Sequence, residues 1–311
     1  MRINRARATF GRHETFPLRY GWLPKGFEAI GQDPEIFTKP EEAMITLGVG
    51  RNMVNAIQYW LQVTGLVTFD AGQAQPTALG TALLGAQADP YLEDDATLWI
   101  LHWLIASNAE AATGFFWFFN RFAMPRFRDA EVLHALEEFS AQELKANRSL
   151  STLKSDVSTL LRMYAAEPGR GDEHLDSPFA QFGLIEPDPG AGFRSLRTPR
   201  ATLPPVALQF AIAQRLNAES GQATALPVRV LLYSDAGWAA PGAVFRLTED
   251  GLMHGLARLI EQDPQRYVLR DTAGLHQLYL RGGPPDPVDI LAAHYRGRTA
   301  STTLANRRTA A

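Results

Sequence analysis

The chain has 311 residues, a formal net charge of −3, 46% hydrophobic and 20% charged residues, and no cysteine. This length accommodates two or three domains with their own cores, and this balance excludes a wholly disordered chain or a histone-like basic coat. The lack of cysteine excludes disulfides, thiolate zinc sites and cysteine nucleophiles, and it fits a reducing, cytoplasmic setting.

Arg2, Arg5, Arg7 and Arg12 precede the first acid, Glu14. No apolar run follows them, so the opening residues do not read as a signal peptide. His13 beside Glu14 could form half of an acid–base system. More often such a pair tethers an N-terminal strand to a helix through hydrogen bonds, and the chain is not expected to be an enzyme.

The strongest local pattern lies between Glu41 and Gly80. A helix over Glu41–Leu47, a turn at Gly48 and Gly50, and a second helix over Arg51–Thr64 are predicted, with Gly65 ending the second. Leu66–Phe69 is strand-like, residues 70–75 form a turn-rich tip, and a short helix begins at Pro76 and runs to Leu84. This is the order of a winged helix-turn-helix. On the second helix, Val54, Ile57 and Leu61 share an inward face. Asn52, Asn55, Tyr59 and Gln62 share another, with Arg51 near the start. Asn, Gln and Arg match base edges in a major groove, although such residues on an exposed face are usually only solvated.

Leu98–Phe119 is the most hydrophobic stretch. His102, Ser107, Asn108 and Glu110 interrupt it, so it lacks the ~20 consecutive apolar residues of a membrane span. A buried helix pair or one bent helix is predicted, with His102 as a core histidine. Phe115–Phe119 and Phe122 read as core or, if exposed together, as a partner surface.

A second unit follows. Helices are predicted over Glu131–Lys145 and Ser151–Ala165 around a turn at 147–150. Lys154, Ser155, Ser158 and Arg162 lie opposite the apolar side of the latter. Gly183–Glu186 and Phe193–Arg197 read as a hairpin, made basic by Arg194 and Arg197. Further on come a helix over Pro204–Ala218 and a strand over Val228–Tyr233. The last unit has extended Phe245–Leu247, a helix over Glu249–Glu261 capped by Thr248, and strands over Tyr267–Arg270 and Leu275–Leu280 joined through 271–274. Arg296, Arg298, Arg307 and Arg308 close the chain.

The expected fold is therefore mainly α (α+β), built of tandem winged helix-turn-helix-like units with small hairpin wings. Their expected spans are 1–90, 91–200 and 201–285, followed by a C-terminal helix and a basic, flexible tail over 286–311. Leu47–Met53 holds two glycines but lacks the lysine and third glycine of nucleotide loops. No histidine pair has metal-ligand spacing, and no cofactor is expected.

Three segments are distinctive: Phe10-Gly11-Arg12-His13-Glu14-Thr15-Phe16, Arg19-Tyr20-Gly21-Trp22-Leu23, and Leu47-Gly48-Val49-Gly50-Arg51-Asn52-Met53-Val54. With Leu101-His102-Trp103-Leu104 and Phe118-Phe119-Asn120, they resemble the bacterial domain-of-unknown-function family 4007, over about Phe10 to Leu280. The resemblance implies a place in anti-phage defence loci, beside proteins resembling phosphoadenosine-phosphosulfate reductases, in DNA phosphorothioation and BREX-like systems. It brings no catalytic residues, and the role of the His13, Glu14, Arg19 and Trp22 motifs is undefined. The sequence thus points to a non-enzymatic component that binds double-stranded DNA through Arg51, Asn52, Asn55, Tyr59 and Gln62, with Lys154, Ser155, Ser158, Arg162, Arg194 and Arg197 on phosphates. The alternative is an adaptor docking a sulfur-transfer or ATPase partner of the same system. A homodimer is compatible with the sequence, and no membrane partner is expected.

Overall fold

The computed structural model describes residues 2–146, 148–165, 177–219, 225–235, 237–272 and 275–309, without the side chains of 219, 272 and 299–309. It is a mixed α+β fold in which small antiparallel sheets accompany a helical body.

Helix α1 (Trp22–Gln32) packs against α3 (Arg51–Val63). Gly26 permits the approach, since a Cβ there would meet Ile57 and Leu61 methyl groups at 2.8 Å. Between them, α2 (Pro40–Leu47) starts on a proline with Glu41 and Glu42 in its first turn, which suits the positive end of a helix dipole. It ends on Gly48 in the left-handed region (φ 66). Val54, Ile57, Trp60 and Leu61 of α3 are buried as the periodicity requires. Strands β1 (Val67–Asp70) and β2 (Gln73–Pro76) then pair antiparallel, with Thr68 opposite Gln75. Ala71 and Gly72 at the tip both have positive φ, as a two-residue hairpin turn of matching twist demands. Thr77 caps α4 (Ala78–Leu84), accepting the Gly80 N–H at 2.9 Å. The predicted order of helix, turn, helix and hairpin is thus present in this segment, but β2 takes residues expected as the tip, and Pro76 ends that strand instead of opening the next helix.

The hydrophobic stretch forms two helices, α5 (Asp95–Ala106) and α6 (Thr113–Asn120). Every residue from Ala96 to Ala106 and from Thr113 to Phe119 is buried, so both helices are covered on all sides. No helix among the described residues is long and apolar enough to cross a membrane.

Strand β3 (Arg126–Phe127) precedes the paired helices α7 (Asp129–Gln142) and α8 (Leu150–Tyr164). It adds to the hairpin of β4 (Glu186–Asp188) and β5 (Gly192–Arg194), giving the order β3-β5-β4. The hairpin was expected, and its third strand was not. Helix α9 (Pro205–Glu219) contacts α5. The strand expected over Val228–Tyr233 is instead helix α10 (Val228–Leu232), preceded by β6 (Ala225–Pro227). Val228, Leu231 and Leu232 bury together at helical spacing, so tertiary packing overrides the β-preference of two valines. Phe245–Leu247 is likewise not a strand but the exit of a short helix, α11 (Pro241–Val244). Among the described residues its only ladder contact is an isolated bridge from Leu247 to Thr198. Thr248 caps α12 (Glu249–Gln262), as predicted. Strands β7 (Tyr267–Thr272) and β8 (Leu275–Leu280) complete a sheet ordered β6-β8-β7, and part of their joining turn lies outside the described residues. The final helix, α13 (Pro287–Thr309), packs on α9 and α4. Buried apolar side chains form one connected cluster from Ala8 to Tyr295.

Candidate nucleic-acid interface

The loop from Phe10 to Phe16 sits between α3 and α8. His13 is only 1% exposed, enclosed by the rings of Tyr59, Trp60 and Phe115 at centroid distances of 6.1–6.3 Å. Its Nδ1 accepts the Thr15 N–H at 3.1 Å, which leaves the proton on Nε2. Nε2 donates to Oδ1 of Asp156, on α8, at 2.6 Å. The same oxygen accepts the Gly11 N–H at 2.8 Å. The carboxylate partner of His13 is therefore Asp156 and not the adjacent, exposed Glu14.

Two more contacts tie this loop down. The Trp60 indole N–H donates to the Phe16 carbonyl at 3.2 Å, and the Arg162 guanidinium donates to the Thr15 carbonyl. Gly11 (φ 72) lies so near α8 that a Cβ would stand 2.8 Å from the Thr152 methyl. Glu14 and Thr15 are both left-handed, at φ 51 and 66. That conformation is disfavoured for such residues and persists only where its surroundings impose it. Here the clamp on both sides of the loop imposes it.

The polar face of α3 extends outward from this clamp. Arg51, Asn52, Asn55 and Gln62 are exposed, whereas Tyr59 turns its hydroxyl inward to donate to the Ala111 carbonyl at 2.9 Å. Burial first, and the Asp156 carboxylate second, hold the Tyr59 phenol well above its ordinary pKa, with Arg12 opposing. Arg12 is exposed in this loop, between Gly11 and His13, both of which bond Asp156 of α8. The arm before it lies along the α5–α6 connection: Arg7 pairs with Glu110 at 3.1 Å, and the Thr9 N–H donates to Thr113 Oγ1 at 2.9 Å. Arg148, just before α8, donates to the Ala8 carbonyl at 3.0 Å while remaining exposed. On α8, Lys154 and Ser158 are exposed, and Ser155 and Arg162 are half-buried. The loop thus joins both predicted contact helices to the arginines of the N-terminal arm.

Arg194 and Arg197 belong to other contacts. Arg194 pairs with Glu186 across the β4–β5 hairpin at 2.9 Å. Arg197 Nη1 donates to the carbonyls of Leu232, Gly242 and Leu247 at 3.0–3.3 Å. Trp22 is buried at the start of α1, with the Arg19 guanidinium 5.4 Å from its ring centre. His102 is fully buried and makes no site: Nε2 donates to the Val244 carbonyl at 2.9 Å, and Nδ1 accepts from the Tyr164 hydroxyl at 2.7 Å. Among the described residues no three His, Asp or Glu side chains converge as metal ligands.

Sequence reasoning missed Asp156 and Arg148. Asp156 had a usable signal, because it falls on the stripe of Leu153, Val157 and Leu160, where an acid requires a buried partner. Arg148 had none, since its role depends on where the arm runs.

The family model of DUF4007, a protein family of unknown function, matches residues 10–295. The chain belongs to the DUF4007 family. This DUF4007 chain is also similar to two solved structures that cover nearly all of it. One is a magnesium ion-bound SspB crystal structure, with a TM-score of 0.84 and 27% identity over 94% of this chain and 90% of the other. The second is an SspB crystal structure with a TM-score of 0.82 and 28% identity over the same shares. No curated protein matches the chain.

Proposed function

We propose that this DUF4007 protein is a non-enzymatic, duplex-DNA-binding component of a phosphorothioation-linked anti-phage defence system. One observation carries the DNA-binding part. The His13 loop fastens α3 to α8, so the exposed polar face of one, the exposed Lys154 and Ser158 of the other, and Arg12 belong to a single rigid assembly. In this reading α2–α3–β1–β2 acts as a winged helix-turn-helix. Arg51, Asn52, Asn55 and Gln62 approach base edges, while Arg12, Arg148, Lys154 and Ser158 contact phosphates. Arg194 and Arg197 are left to the fold. The system-level part rests on the family resemblance and on the likeness to SspB.

The non-enzymatic assignment is supported by His13, whose two ring nitrogens are both engaged inside an aromatic enclosure away from any incoming substrate. Fluorescence anisotropy with a duplex tests the proposal. Arg51→Glu with Lys154→Glu should weaken binding at least about tenfold, and unchanged affinity would overturn it. A parallel duplex carrying phosphorothioate linkages reports whether the backbone chemistry is read.

The adaptor alternative loses its first motive, because the aromatic stretch from Trp99 to Phe122 is core. A different surface favours it: a groove of about 860 Å³ between α1 and the segment 84–91, where Tyr91 is 76% exposed. Co-purification of a partner at high salt, where phosphate contacts fail and apolar docking persists, would support that second role.

A further inference from the structure

The C-terminal end of α6 opens onto a cleft of about 430 Å³ whose charged lining is wholly basic, comprising Arg121, Arg197 and Arg246, with Tyr233 and Ser234 beside them. Arg246 is the unusual member. It is 6% exposed, yet among the described residues none of its partners is a carboxylate. Nε donates to Ser195 Oγ at 2.9 Å, Nη1 to the Phe119 carbonyl at 3.2 Å and Nη2 to the Phe118 carbonyl at 3.0 Å. A guanidinium has five N–H donors, so one remains on each terminal nitrogen. Arg197, also in the lining, directs its bonds to carbonyls through Nη1 alone, which leaves Nε and Nη2 without a carbonyl partner among the described residues.

A purely structural role explains part of this. Phe118 and Phe119 close the last turn of α6, and a helix C-terminus carries roughly half a negative charge. That partial charge does not balance the guanidiniums gathered here. Arg197 and Arg200 both lie near enough to Arg246 to oppose its charge, and burial with those neighbours lowers its pKa to about 9. Protein interiors seldom hold such charges without counter-ions. Glu143 pairs with Arg121 at 2.8 Å and the Glu186 carboxylate acts on Arg200, but neither acid is part of the lining.

We propose that this cleft is a binding site for a phosphate group, either free or carried on a nucleotide. Forked guanidinium donors match a tetrahedral oxyanion, and the remaining N–H groups of Arg197 and Arg246 supply them. The exposed Tyr233 ring, 5.0 Å from the Arg197 guanidinium carbon, offers an aromatic face beside the anion. The cleft lies at the opposite end of α6 from the His13 loop, so its occupancy is independent of the DNA-binding proposal.

Isothermal titration of the full chain with inorganic phosphate, a 5′-mononucleotide and the matching nucleoside tests this. Saturable 1:1 binding of phosphate identifies the free anion, and binding of the mononucleotide alone identifies a carried phosphate. Ala123 is exposed and lines the cleft, so Ala123→Glu adds a competing carboxylate without disturbing the core. It should weaken binding at least tenfold, whereas Ala123→Gln should not, with unchanged thermal melting for both. The proposal is overturned if neither phosphate nor mononucleotide binds by about 10 mM. It is equally overturned if the nucleoside binds as well as the nucleotide, or if Ala123→Glu binds like the parent chain.

Discussion

At the scale of single residues, buried polar groups dictate more of this molecule than its exposed ones. Asp156 is 4% exposed, and its Oδ1 accepts both the His13 Nε2–H and the Gly11 N–H. Removing one member of such a pair leaves the other unsatisfied, which is costlier than never having built the pair. His13→Ala should destabilise the fold by about 3 kcal/mol in urea unfolding, and Asp156→Asn by less, because an amide still accepts both N–H groups. Equal losses for the two variants would contradict this account of the loop. His102 sets a second expectation. Burial foremost, with Arg246 and Arg200 adding to it, lowers its folded pKa to about 3 from 6.5, against the Val244 hydrogen bond. Between those values the unfolded chain binds a proton that the folded chain does not. Stability therefore falls as pH drops from about 6.5 towards 3, by up to about 1.4 kcal/mol per unit. Melting temperatures over that range should drop less steeply in His102→Gln than in the parent chain.

At the scale of elements, legibility followed how locally each signal is written. The α2–α3 turn, strand β1 and the Thr248 cap rest on residues within a few positions of one another, and they stand where the sequence places them. The α10 run and Phe245–Leu247 depart from the expected strands because their conformation is imposed from outside. Arg197 bonds the Leu232, Gly242 and Leu247 carbonyls, drawing two helix ends and a bridge around one side chain. No local pattern announces that. The site was half legible for the same reason. The outward residues of α3 follow from helical spacing, but Tyr59 turns inward because the Ala111 carbonyl is there to receive it. Gly80 tests the packing of the first unit, since a Cβ there would lie 2.1 Å from the Leu66 carbonyl oxygen. Backbone cannot yield cheaply, so Gly80→Ala should lower stability by about 3 kcal/mol; a loss below about 1 kcal/mol would mean the hairpin is loosely held.

At the scale of the whole molecule, the last helix is anchored to the fifth. Asp94 caps α5 and receives hydrogen bonds from His294 at 2.7 Å and from Arg298, while Tyr295 and Thr97 hydroxyls meet at 2.7 Å. Burial alone would raise the Asp94 pKa. The bonds from His294, the Ala96 N–H and Arg298 outweigh it, and the carboxyl titrates at about 2. A depressed carboxyl pKa contributes stability above the unfolded value near 3.8, and that contribution is lost as pH falls through about 2. It amounts to roughly 2 kcal/mol. Asp94→Ala should therefore lower the melting temperature at neutral pH and speed hydrogen exchange in α13 specifically. Uniform exchange across the chain would place the anchor elsewhere.

The most direct test of the proposed DNA-binding role is the salt dependence of duplex affinity, measured for the parent chain and for Arg12→Gln, Arg148→Gln and Lys154→Gln. The three cationic phosphate contacts predict a slope of log K against log salt of about −3, reduced by about one for each contact removed. Absence of duplex binding at low salt, or a slope that none of these substitutions changes, would contradict the account.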